Sequence, residues 1–266
     1  MAKLHSNFFF TGSLGNFSAY KRRDLDTPIL RTQGGASKEK IKTAPEFEIT
    51  RKLNAEFGGC STAAKLLRLI MWPQKALADY NTSAALTALA KKIMVLDTQN
   101  EYGQRSVLLS KNPQLLAGFN FNKIRLFDSV IRVPIPCTLS RTALTAQVDI
   151  PALIPGINLF VPNNYSWYAI VTSLGIMPDM RYSQPLYEPM EKYERYLHNL
   201  LTDTPWYSVL TGSAATTLNI QLPYAPPATG AYSLVFSIGI RFGTMGIDNT
   251  IHQVKHAGSA KILAMA

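Results

Sequence analysis

Charge is scarce in this sequence. Charged residues are 17% of the 266 positions, whereas 47% are hydrophobic and 10% aromatic. A solvated, disordered chain needs the opposite balance, and an average soluble protein carries about 25% charge. A coiled-coil rod is excluded too, because Ala, Glu, Lys, Leu and Arg do not dominate the composition. No apolar run approaches the ~20 residues of a membrane-crossing helix. The longest candidates, 152–161 and 233–240, are interrupted by Pro, Gly or polar residues. Cysteine is nearly absent: only Cys60 and Cys137 occur, with no C-x-x-C, which argues against a disulfide-dense secreted scaffold. The first ten residues lack the roughly 7–15 residue apolar stretch of a secretory signal. Cytoplasmic synthesis is expected, with incorporation into a particle or release by lysis both open.

Acidic residues are missing from one half in particular. Residues 1–125 hold 19 Lys/Arg against 9 Asp/Glu, while residues 126–266 hold 8 of each. The whole net charge of +10 therefore sits in the first half. Such asymmetry marks a basic arm that meets an acidic protein or nucleic acid, or a basic surface kept for solubility.

What is present reads as α+β: an amino-terminal β-hairpin arm (1–35), a helical section (36–119), then an antiparallel β-sandwich, Ig-like or jelly-roll-like (120–266). In the arm, Phe8, Phe9 and Phe10, then 17–20 and 29–32, are strand-like, with Gly12 and Gly15 as turn residues. A hairpin of this size is marginal in water by itself. Ser37 is a helix N-cap, and Pro45 opens a helix that Gly58-Gly59 should end. Further helices are expected over 63–71 and 83–96, and a short one after Asn112-Pro113. Strands follow at 130–140, 142–150, 165–174, 207–210, 217–222, 232–241 and 260–265. Leu144, Ala146, Val148 and Ile150 fall on one face by alternation. Pro134 and Pro136 should make their strand an edge or a bulge. An amphipathic helix is expected as an insert near 189–201.

No catalytic constellation emerges. His252 and His256 have i,i+4 spacing, but no Glu follows His252 as a zincin would require; a surface role is the expectation. Glu194 and His198 make an ordinary helical pair. Glu188, Glu191 and Glu194 read as a solvated helix face rather than paired glycosidase acids. Cys60 sits where a helix should begin, which could activate a thiol, yet no His can be assigned to it. The glycines of 12–16 and 34–38 lack nucleotide-loop spacing and read as turns. No catalytic residue, cofactor or metal ligand is expected. Tyr165, Trp167, Tyr168, Tyr182, Tyr187, Tyr193, Tyr196, Trp206 and Tyr207 crowd in and around the long insert. Of these, Tyr182, Tyr187, Tyr193 and Tyr196 are the candidate interface residues.

The segments Gly12-Ser13-Leu14-Gly15-Asn16, Tyr20-Lys21-Arg22-Arg23, Arg31-Thr32-Gln33-Gly34-Gly35, Lys38 to Lys42, Pro45-Glu46-Phe47, Thr50-Arg51, Asn54 and Glu56-Phe57-Gly58-Gly59-Cys60 resemble the amino-terminal signature of a family of bacterial proteins of similar length. That resemblance implies a helical section followed by a β-rich half. It implies no activity and no catalytic residue.

Three functions fit this pattern. The leading one is a non-enzymatic structural subunit of a homo-oligomeric assembly, virion-like, tail-like or filamentous, whose partners are other copies of itself. Its docking arm would carry Phe8, Phe9, Phe10, Tyr20, Lys21, Arg22, Arg23 and Arg31. The alternatives are a nucleic-acid-binding protein, with Lys38, Lys40, Lys42, Arg51 and Lys52 added to those cations, and a carbohydrate-binding or carbohydrate-active sandwich using the Tyr/Trp cluster.

Overall fold

A computed structural model describes residues 2–3, 10–22, 27–32, 34–190, 200–227 and 229–266. The chain is an α+β protein in two compact units, Met1–Arg51 and Lys52–Ala266.

The first unit begins with four short strands: β1 (Ala2–Lys3), β2 (Gly12–Leu14), β3 (Phe17–Tyr20) and β4 (Ile29–Thr32). They form one antiparallel sheet in the order β1-β4-β3-β2. Leu14 pairs with Phe17, so Gly15 and Asn16 make a two-residue turn. Gly15 has φ +54°, the left-handed conformation such hairpin turns demand. Gly12 lies within β2 rather than in a turn. Helix α1 (Lys38–Thr43) starts where expected, with Ser37 Oγ accepting a bond from the Lys40 amide at 3.2 Å. Arg51 closes its other end, donating from Nη1 to the carbonyls of Ile41 and Ala44 at 2.8 and 2.9 Å.

A 3-10 turn, Pro45–Phe47, leads into helix α2 (Glu48–Ile70), which does not stop at Gly58-Gly59. The expected break is absent because Gly59 is small for a tertiary reason. The ring of Tyr187 lies against it, and a Cβ there would come within 2.6 Å of that ring. Helices α3 (Trp72–Lys75), α4 (Ser83–Val95) and α5 (Phe127–Val130) follow. Val130, the expected start of a strand over 130–140, thus ends a helix instead, and that strand begins only at Cys137. The prolines at 134 and 136 have no amide to donate to a ladder, and Ile131 makes only a single bridge, to Leu159.

The strands of the second unit are β5 (Cys137–Ser140), β6 (Thr145–Ile150), β7 (Trp167–Pro178), β8 (Met180–Ser183), β9 (Leu186–Pro189), β10 (Leu200–Asp203), β11 (Tyr207–Ser208), β12 (Thr216–Gln221), β13 (Tyr232–Met245) and β14 (Ile251–Met265). All pairing among them is antiparallel. One sheet runs β10-β7-β13-β14 with β11 also on β7, a second runs β12-β6-β5, and β8-β9 is a hairpin. The helix expected at 189–201 falls largely outside the described residues, and both its flanks, β9 and β10, are strand. Strand β14 begins at Ile251, earlier than expected, because Ile251, His252 and Gln253 pair with Met245, Thr244 and Gly243 of β13; their mostly exposed, polar pattern hides the strand in the sequence.

The large sheet is covered on both faces, and its sequence shows why. On β13, Leu234, Phe236, Ile238, Ile240 and Phe242 alternate toward the small sheet, sharing a core with Ala146, Val148, Ile150 and Ile220. The intervening Val235 faces the helices with Val171, Ala260 and Ile262, against Leu67, Ile70, Ile93 and Met94. Small residues let the helices approach on this side. A Cβ on Gly175 would meet Ile70 at 2.3 Å, and one on Gly239 would meet Gln74 and Leu77 at 2.5 and 2.6 Å. Ser173 Oγ donates to the Ile70 carbonyl at 3.1 Å, and Ser237 Oγ accepts from Gln74 Nε2 at 3.2 Å. The result is three layers: helices, large sheet, small sheet.

Candidate functional site

The amino-terminal unit is the anomaly of the molecule. Among its described residues only Ala19, Pro28 and Ile29 are buried. Helix α1 buries nothing. Leu14 and Phe17, at the hairpin β2-β3, are 66% and 46% exposed. Strand β2 is the last in the sheet order, and all three of its residues are exposed. Ordering a residue costs about 1–2 kcal/mol of backbone entropy, and burial is the main term that offsets it. This unit has little burial with which to do so.

The expected arm residues fall on this sheet in part. Phe8, Phe9 and Arg23 lie outside the described residues. Phe10 is half-buried and precedes β2. Tyr20 ends β3, and the Arg31 guanidinium of β4 lies over its ring, 5.5 Å from the centroid. Lys21 and Arg22 are exposed just beyond. Tyr20 and Arg31 are therefore brought together, in a cation–π contact that spacing alone does not reveal.

The expected interface tyrosines divide. Tyr193 and Tyr196 lie outside the described residues, as do Glu191, Glu194 and His198. Tyr182 and Tyr187 face each other across the β8-β9 hairpin, centroids 5.4 Å apart. Tyr187 also packs on Gly59 and donates its hydroxyl to the Arg105 carbonyl at 2.9 Å, so it joins elements within the unit. The other aromatics are internal fittings as well. Tyr165 stacks on Phe242 at 5.4 Å, Tyr168 is fully buried beside Tyr207, and Trp206 lies 4.9 Å from the Arg241 guanidinium.

Three buried carboxylates, Glu56, Asp97 and Asp179, are not singled out by the sequence. They tie down the stretch 97–111, which has little regular structure. Glu56, wholly buried on α2, accepts from Arg105 Nε and Nη2 at 2.7 and 2.8 Å, from the Gly103 amide at 2.9 Å, and from Lys91. Burial alone would push its carboxyl up, but the bonds from Arg105, Lys91 and Gly103 outweigh that and hold it at about 2. Asp97 accepts from the amides of Gln99 and Ser106 at 3.0 and 2.7 Å. Asp179 accepts from the Ser110 amide at 2.9 Å and from its hydroxyl. Burial pushes the Asp179 carboxyl up, against the Ser110 bonds that lower it. The bonds from the Gly103, Gln99, Ser106 and Ser110 amides close off backbone donors of this stretch, while Arg105, Lys91 and the Ser110 hydroxyl supply the side-chain donors.

Cys60 lies within α2, not at a helix start. It is buried against Met94, with Sγ 3.6 Å from Sδ, and burial pushes its thiol up to about 11. Both cysteines are free. His252 bonds Asp248 and Thr250 near the β13-β14 turn, apart from His256. Among the described residues no group of three His, Cys, Asp or Glu side chains is placed to hold a metal ion, and no helix is long and apolar enough to cross a membrane. Glu188 sits in a strand and pairs with Arg181 at 3.1 Å. The glycines of 12–16 and 34–38 serve the chain path, with Gly35 at φ +107°. No family model, curated protein or solved structure matches the chain.

Proposed function

We propose that this chain is a non-enzymatic structural subunit of a homo-oligomeric assembly, virion-like, tail-like or filamentous, and that its amino-terminal unit docks on another copy. One observation carries the reading: a 51-residue unit has strands and a helix but, among its described residues, buries only Ala19, Pro28 and Ile29. A neighbour's surface would supply the missing burial, with Leu14 and Phe17 as the apolar contacts. Strand β2, outermost in its sheet, suits addition to another strand. The unit holds nine Lys/Arg and five Asp/Glu, and residues 126–266 hold eight of each, so the balanced half of a neighbour would receive it without net repulsion.

Light scattering coupled to size exclusion, with negative-stain imaging of the full chain, tests this. The expected result is a defined multimer whose mass falls in the Leu14→Asp, Phe17→Asp double variant. A wild-type chain that stays monomeric at tens of micromolar, on the order of the affinity a weak assembly needs, overturns it. The exposed Arg31 over the half-buried Tyr20 supports a second reading, in which the same arm holds a nucleic-acid strand. Filter binding at two salt concentrations would then show a steep salt dependence.

A further inference from the structure

Two adjoining clefts in the second unit, of about 240 and 370 Å³, share Asp79 and His256 in their walls. Arg125 lines the smaller one; Arg68, Lys75 and Tyr80 line the larger. None of Arg68, Lys75 and Arg125 forms an ion pair among the described residues. Asp79, the carboxylate among the described wall residues, is tied to the backbone of the cleft wall. Its oxygens accept from the Lys123 amide at 2.9 and 3.0 Å and from the Ile124 amide at 2.8 Å.

The way His256 reaches the clefts is a second, independent observation. On β13, Arg241 pairs with Gly258 and Gly243 with Gln253. The four residues 254–257 of β14 therefore bulge out opposite Phe242 alone. Within that bulge His256 has φ +56°, a left-handed backbone that costs a non-glycine residue about 1–2 kcal/mol. Bulges of this kind re-aim side chains and gather at binding sites. Here the bulge places an imidazole in walls shared with three cations that form no ion pair among the described residues.

We infer that this double cleft binds a phosphate group. Lys75 lies over the Trp72 ring, and Arg125 and Arg68 each spend one donor, on Asn163 and on the Ala64 carbonyl, but the remaining guanidinium and ammonium donors, with the imidazole, match the several acceptor oxygens of a phosphate. The same chemistry serves a small phosphorylated molecule or one phosphodiester of a nucleic-acid strand. Nothing in this assignment depends on the docking role of the amino-terminal unit.

Calorimetric titration of the full chain with pyrophosphate, and separately with a single-stranded oligonucleotide, tests the inference. At least one probe should bind more tightly than about 1 mM at low salt. The Lys75→Gln, Arg125→Gln double variant should weaken that binding by about tenfold or more, and His256→Asn, which keeps the left-handed tendency, should weaken it less. Lys92→Gln, on the exposed side of α4, should leave it unchanged. Tighter binding of the oligonucleotide assigns the phosphate to a strand, and binding of pyrophosphate alone assigns it to a small molecule. Failure of both probes, or equal binding by the double variant with an unchanged circular dichroism spectrum, overturns the site.

Discussion

The ring of Tyr187 stands where a side chain on Gly59 would stand: a Cβ there would lie 2.6 Å from both Cγ and Cδ1. A Cβ on the neighbouring Gly58 would meet nothing within 4 Å outside its own helix backbone. Two adjacent glycines in one helix thus have opposite meanings. Gly58→Ala should stabilise the protein by about 0.5–1 kcal/mol through helix propensity. Gly59→Ala should destabilise it by roughly 1–3 kcal/mol, as overpacking does, despite the same propensity gain. Urea unfolding of the two variants measures both, and equal signs would refute the contact.

Glu56 gives the protein an acid-sensitive pin. Its folded value of about 2 lies below the ordinary 4.5, so the stability it contributes is full above the ordinary value and is lost as pH falls through the folded one. The amount is on the order of 3 kcal/mol. Asp179 works in the opposite sense: burial raises it, so lowering pH through its folded value adds stability. Glu56→Gln should cost about 3 kcal/mol or more at pH 7 by leaving Arg105 and Lys91 without their carboxylate. It should also flatten the loss between pH 5 and 3. Unfolding curves at those pH values decide the point.

Cys60 should be inert in the folded protein. It is fully buried and its thiol is pushed up to about 11, so thiolate is scarce near neutrality. A disulfide reagent at pH 8 should label the half-buried Cys137 first and reach Cys60 only when denaturant is added. Rapid labelling of Cys60 in native buffer would show that α2 opens.

The sequence was most legible where one element's own pattern determines its environment. Leu144, Ala146, Val148 and Ile150 alternate and are all buried; Ser37 caps α1 as its position suggests. It was least legible where a distant partner sets the local rule. Gly59 reads as a helix stop until Tyr187 is seen against it. The β14 bulge at His256 was missed because the polar residues before it mask the strand period, although Gly258 at its end, with φ +152°, is a bulge signal. The carboxylates of Glu56, Asp97 and Asp179 converge on 97–111 from three separate places, and spacing says nothing about such convergence. In the amino-terminal unit, the turn chemistry and the basic excess were readable, whereas the contact of Arg31 with Tyr20 needed the strand register.

The coverage of the large sheet on both sides also orders events during synthesis. The helical layer leaves the ribosome first, with Leu67, Ile70, Ile93 and Met94 turned toward strands that do not yet exist. Their resting place includes Val235, Ala260 and Ile262, far downstream. A nascent chain must therefore carry a greasy, half-built layer until β13 and β14 emerge and zip together, which makes the interval before that moment its period of greatest exposure to chaperones and to wrong neighbours.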